Sequence, residues 1–125
     1  MRGASALQHV LEQSATLDIE VFVVWEPVLP TDRFAPTTSV LARVADRRAR
    51  QYWDRGRLVS TGLGDAAGYE RGAIVWDFVG LYPPGIRWEA TLDAPLWSGA
   101  PVVDAADELR AKLISGATSA AEARP

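Results

Sequence analysis

The sequence predicts an α/β fold: a mixed central sheet of about four strands flanked by helices, with an extra helix at the N-terminus. Three observations carry this expectation. Residues 19–25 (IEVFVVW) form a nearly continuous apolar run rich in β-branched and aromatic side chains, as suits a strand covered on both faces. Residues 73–82 (AIVWDFVGLY) form a second such run. Apolar residues at helical spacing lie before, between and after them.

The elements follow in chain order. Residues 4–13 read as a short helix, because Leu7, Val10 and Leu11 share one face; His9 falls off that face and is expected in solvent. The strand at 19–25 must stop at Glu26-Pro27, since proline cannot donate to a ladder. A loop, 28–36, leads to Thr37 or Thr38, either of which can cap a helix running to about Arg48. In that helix Val40, Leu41 and Val44 point inward. Arg43, Arg47, Arg48 and Arg50, interrupted by Asp46, are expected as a solvated basic face. A short strand, 51–53, is closed by Asp54 and Gly56, and 58–63 gives one or two helical turns weakened by glycines. The strand 73–82 turns at Pro83-Pro84-Gly85 and returns as a hairpin partner at 86–90. A loop at 95–101 precedes a final helix capped by Asp104, with Val102, Ala106, Leu109 and Leu113 on one face. Two strands joined through a helix favour a parallel pair with a right-handed crossover, and the hairpin adds an antiparallel pair.

This order, together with Val23-Val24-Trp25 followed by Glu26-Pro27-Val28-Leu29, resembles the thioredoxin fold, over roughly residues 18–115. In that family the first core strand ends in tryptophan before a Cys-x-x-Cys pair at a helix start. Glu26 and Leu29 stand at the two cysteine positions here. Segments such as VVWEPVL, YWD and LYPPGIRW look most like an uncharacterised bacterial group of thioredoxin-like proteins, to which no biochemical role attaches. The proline that thioredoxins carry before their third core strand is missing, for that stretch reads Gly68-Tyr69-Glu70-Arg71-Gly72. The resemblance implies a scaffold without its thiols and without the family's substrate clamp.

Composition narrows the chemistry further. The 125 residues contain no cysteine, which excludes thiol–disulfide exchange, disulfides, thiolate zinc sites and iron–sulfur clusters. One histidine, His9, excludes a three-histidine or HExxH zinc site within one chain. A net charge of -3, from 13 basic and 16 acidic side chains, leaves no basic stripe for nucleic acid. An apolar fraction of 48% and a charged fraction of 23% are ordinary for a globular protein, and the length suits one domain, 1–125, with residues 116–125 as a fraying tail. No stretch reaches the roughly 18 apolar residues of a membrane span, and residues 1–10 lack the apolar core of a signal peptide. The chain as written is therefore expected in the cytoplasm, or in the periplasm or medium if a leader precedes it.

The residues that could carry function are few. Glu26 would stand at the carboxyl end of a central strand, where open α/β sheets bind ligands, next to a helix start that favours negative charge. Asp54 and Asp77 each follow a tryptophan, and Asp77 interrupts an apolar strand, where aspartate is depleted; Arg57, Arg71 and Arg87 are its candidate partners. Glu26, Asp54 and Asp77 together would suit an oxygen-ligand metal site or an acid–base pair, although their spacing matches no metal loop. The plainer alternative is that each caps, bridges or solvates an element. Of five tryptophans, Trp25, Trp53 and Trp76 are expected in the core, while Trp88 and above all Trp97, in a proline-bounded loop, suit partner contact. The glycines at 62, 64 and 68 fit no phosphate-loop spacing.

Two functions follow as expectations. The first is a non-catalytic binding or accessory module, with no cofactor and no assigned catalytic or metal residue. It would contact a protein or small-molecule partner through Trp25, Glu26, Pro27, Asp32 and Trp97, with self-association open. The second is a metal-binding protein or hydrolase built on Glu26, Asp54 and Asp77.

Overall fold

A computed structural model describes residues 2–123. Its elements are α1 (Arg2–Gln13), β1 (Val21–Trp25), α2 (Thr38–Leu41), β2 (Ala49–Trp53), α3 (Leu58–Ala67), β3 (Val79–Leu81), β4 (Trp97–Gly99) and α4 (Val102–Glu122). The mixed α/β character holds, but the thioredoxin-like central sheet of about four strands does not form. There are instead two separate two-stranded sheets, β1–β2 parallel and β3–β4 antiparallel. Five of the eight elements fall where sequence places them, with shifted ends: α1, β1, β2, α3 and α4.

The break in the expected sheet occurs at Asp77. Its φ is +49°, in the left-handed region, so the run 73–82 cannot stay extended through it. Aspartate tolerates this backbone better than the β-branched residues around it. Only Val79–Leu81 remains a strand. Its partner is not 86–90, which is exposed, but Trp97–Gly99, in the register Val79↔Gly99, Gly80↔Ser98, Leu81↔Trp97. The Tyr82 ring meets Trp88 edge-on at 5.6 Å within the intervening loop.

The second helix is equally curtailed. It spans Thr38–Leu41 and stops because side chains from elsewhere take the groups that further turns would use. Gln51 Nε2 donates to the Leu41 and Val44 carbonyls, both at 2.9 Å, and Gln8 Oε1 accepts from the Ala45 and Asp46 amides. Arg48, expected in solvent, is instead tucked under the end of α1. Its guanidinium donates to the carbonyls of Leu11, Ser14 and Leu17 and to both carboxylate oxygens of Asp46. Arg43, Arg47 and Arg50 remain exposed as expected.

The final helix starts at Val102, with Pro101 as cap residue; Asp104 lies in its first turn. The cap bond comes from Asp77, whose Oδ1 accepts the Val102 amide at 3.1 Å. Helix runs through Glu122, so most of the tail expected to fray is helical, while residues 124 and 125 lie outside the described range. The core is small: Val10 and Leu11 of α1, Leu63 of α3, Val102, Ala105 and Leu109 of α4, with Val44 and Val75 from connecting segments. β4 approaches α4 closely enough that a Cβ on Gly99 would stand 2.5 Å from Ala105 Cβ. Among the described residues no helix is long and apolar enough to cross a membrane.

Candidate functional site

The parallel pair builds the site. β1 and β2 align with Trp25 opposite Trp53, and the last ladder bond runs from the Asp54 amide to the Trp25 carbonyl at 2.8 Å. Glu26 and Asp54 therefore leave the same, carboxyl, end of adjacent strands, side by side. The chain turns back at once after Asp54. The Arg57 amide bonds the Asp54 carbonyl, and Arg57 adopts φ +55° to start α3. The Asp54 Oδ2 then accepts the Val59 amide at 2.8 Å, satisfying one of the free N–H groups of the first turn of α3.

Glu26 is left in an unfavourable place for a charge. Its carboxyl is pushed up to about 7, first because burial strips away water and second because the Asp54 carboxylate lies near; Arg57 and the Ser60 hydroxyl pull the other way. Its Oε1 is buried with no hydrogen-bond partner among the described residues. Ser60 is itself buried, its oxygen accepting the Val75 amide at 2.7 Å. The group can thus gain or lose a proton near neutrality, as a general acid or base must.

The other candidates divide between this end and α4. Trp25 donates its indole N–H to Gln51 Oε1 at 2.9 Å, so it braces the sheet against the end of α2. Pro27 opens the following loop, and Asp32 folds it back, its Oδ2 accepting the amides of Val28 (3.1 Å) and Leu29 (2.7 Å). Asp77 is not with Glu26 and Asp54. It caps α4 and abuts Gly3 of α1, and no ion pair with Arg57, Arg71 or Arg87 forms among the described residues. No group of three or more metal-ligating side chains exists among the described residues, so the three-carboxylate site is not assembled.

Trp97 is likewise corrected. It lies in β4, half-buried, its indole N–H held by Glu108 Oε1 at 3.0 Å, rather than free in a loop. Trp76, expected in the core, is exposed, whereas Trp25 and Trp53 are half-buried. Sequence reading missed Ser60 and the role of Arg57 beside Glu26. It also missed two exposed apolar groups: Leu29 and Phe34 in the loop, at 62% and 85% exposure, and the stacked pair Phe22–Tyr52 on the outer face of β1–β2. The period-2 pattern of β2, Ala49-Arg50-Gln51-Tyr52-Trp53, carried a signal for the latter, since Tyr52 must share the face of charged Arg50. Comparison with protein-family models, curated proteins and solved structures finds no match to this chain.

Proposed function

We propose that the protein is a non-catalytic binding module that engages a protein partner through the loop between β1 and α2. The observation that carries this reading is the combination of exposure and order in that loop. Leu29 and Phe34 project into solvent, while the Asp32 carboxylate ties the backbone at Val28 and Leu29, and Pro27, Pro30 and Pro36 limit its freedom. Apolar anchors on a preordered backbone lose little entropy when they dock, which is where binding energy concentrates. Trp25, Glu26 and Pro27 form the base of this surface; Trp97 is left out of it.

The test is co-precipitation from lysate of the source cells with wild type, Leu29→Lys and Phe34→Lys. Wild type should retain partners that both variants lose. Equal recovery by all three would end the reading, since both side chains are too exposed for the substitutions to disturb the fold.

A second reading rests on Glu26 alone: a carboxyl poised near neutrality beside Asp54 suits proton transfer to a bound substrate. Carbon-detected NMR titration of the Glu26 carboxyl decides it. A midpoint below about 5, near the ordinary glutamate range, would remove the basis for acid–base work.

A further inference from the structure

We infer that two copies of this chain associate through the free edge of β1, pairing it antiparallel with its own copy across a two-fold axis to give a four-stranded sheet. The inference uses β1, not the loop of the binding reading, and the two can fail separately.

A two-stranded parallel sheet standing alone is short of partners. Parallel strands occur almost only inside larger covered sheets, and two strands by themselves are marginal in water. The ladder shows which groups are spare. The Val21 amide donates to the Arg48 carbonyl, and the Trp25 carbonyl accepts from Asp54. In a parallel ladder bonding residues alternate, so Val21, Val23 and Trp25 face β2 while the backbone groups of Phe22 and Val24 face the open edge. That edge, Val-Phe-Val-Val-Trp, carries no charge, proline or glycine, the devices by which proteins guard an edge strand. β2 is guarded by Arg50.

The strand is its own complement. Set antiparallel about Val23, Phe22 of one copy lies opposite Val24 of the other, and each pair exchanges two backbone hydrogen bonds. Glu20 and Glu26 flank the run and limit the ladder to it. On the outer face the stacked rings of Phe22 and Tyr52, 53% and 49% exposed with centroids 6.4 Å apart, would continue into their counterparts through the two Val24 side chains. A closed two-fold contact of this kind uses one patch twice, the commonest arrangement of soluble oligomers.

The exposed area of the chain leaves room for a second copy. The chain exposes 8904 Å² for 13.6 kDa, whereas folded monomers of that mass expose about 6,600 Å². The excess, about 2,300 Å² for one chain, exceeds the roughly 800 Å² that each partner buries in a standard interface.

Sedimentation equilibrium of the full chain tests this, run with wild type, Phe22→Lys and Val24→Pro. Wild type should sediment at twice the monomer mass, and Phe22→Lys should weaken the dimer at least about tenfold. Val24→Pro should do the same by removing an edge N–H while sparing the bonds to β2. Circular dichroism checks that each variant folds, and Phe22, half in solvent, tolerates lysine in the protomer. Slower amide exchange at Phe22 and Val24 as concentration rises gives a readout that needs no variant. A wild type monomeric across the micromolar range would overturn the inference. So would a dimer indifferent to Phe22→Lys, which would place the interface elsewhere. Leu29→Lys and Phe34→Lys should leave the mass unchanged, so failure of the loop reading leaves this one standing.

Discussion

Replacing Arg48 by alanine removes the group that holds the end of α1 to the turn before β2. All five guanidinium N–H groups are used: Nε donates to Asp46 Oδ1, one terminal nitrogen to the carbonyls of Ser14 and Leu17, and the other to the Leu11 carbonyl and Asp46 Oδ2. The Arg48 and Asp46 side chains are only 14% and 13% exposed, so water does not readily replace what is lost. Deleting one partner of a buried ion pair costs about 3–5 kcal/mol, and the carbonyls left behind near the surface recover part of their hydration. We expect a loss of about 3 kcal/mol for Arg48→Ala, a large share of the total stability of a domain this size. Arg48→Lys keeps the charge but not the planar fork, and should lose about 1–2 kcal/mol. The assay is urea unfolding followed by tryptophan fluorescence, with an unchanged m-value showing that the end states are the same. The Asp46 side supplies a second signature. Hydrogen bonds from Arg48 hold its carboxyl down to about 2, below its ordinary 3.8. A depressed folded value contributes stability that is present above the unfolded value and lost as pH falls through the folded one. The gap between wild type and Asp46→Asn should therefore be full at pH 5 and close as pH approaches 2. An Arg48→Ala loss under about 1 kcal/mol, or an Arg48→Lys variant as stable as wild type, would refute the view that this fork pins α1.

Three further outcomes can be checked by the same unfolding measurements. Glu26 has a folded value, about 7, above its ordinary 4.5, so its proton favours the folded state below pH 4.5 and that contribution is lost as pH rises through 7. Glu26→Gln should gain roughly 1–2 kcal/mol at pH 8, after discounting for solvent screening of a half-exposed group, and nothing at pH 4; a variant no more stable at pH 8 contradicts the assigned burial. Asp77→Ala loses the α4 cap and puts alanine at φ +49°, for a cost of about 2 kcal/mol, whereas Asp77→Gly, which keeps only the backbone freedom, should cost about 1. Equal losses would show that backbone strain plays no part. Gly99→Ala drives a methyl group against Ala105 and the Trp97 ring and should cost about 1–3 kcal/mol, with Ala105→Gly in the same chain restoring part of it. Absence of rescue would mean that β4 and α4 do not meet as described.

Much of the site was legible because it depends on local order. The apolar run before Glu26-Pro27 announces a strand and its end, and Tyr52-Trp53-Asp54 announces another. Two paired parallel strands must present their carboxyl ends together, which puts Glu26 beside Asp54. What was not legible was which carboxylate stays with them. Asp77 looked like a third member because it interrupts an apolar run, yet that interruption is where the chain turns out of the strand to cap α4. The same confusion affected Arg48. Within an arginine-rich segment it reads as one more solvated charge, and only the approach of α1 gives its guanidinium three carbonyls to bind.

Composition and local order suffice for the exclusions and the local elements. A chain without cysteine, with a single histidine, cannot run thiol chemistry or build a histidine zinc site, whatever its shape. Apolar periodicity sets β1, α1 and α4 because those patterns depend on neighbours a few residues apart. Tertiary structure alone decided the sheet count, the end of α2, the partner of β3 and the state of Glu26. Each depends on groups separated in the chain that meet in the fold: Asp77 bonds the Val102 amide, Gln51 bonds the Leu41 carbonyl, Leu81 pairs with Trp97, and Asp54 repels a charge on Glu26. Such meetings are set by proximity in space, which short-range patterning does not encode.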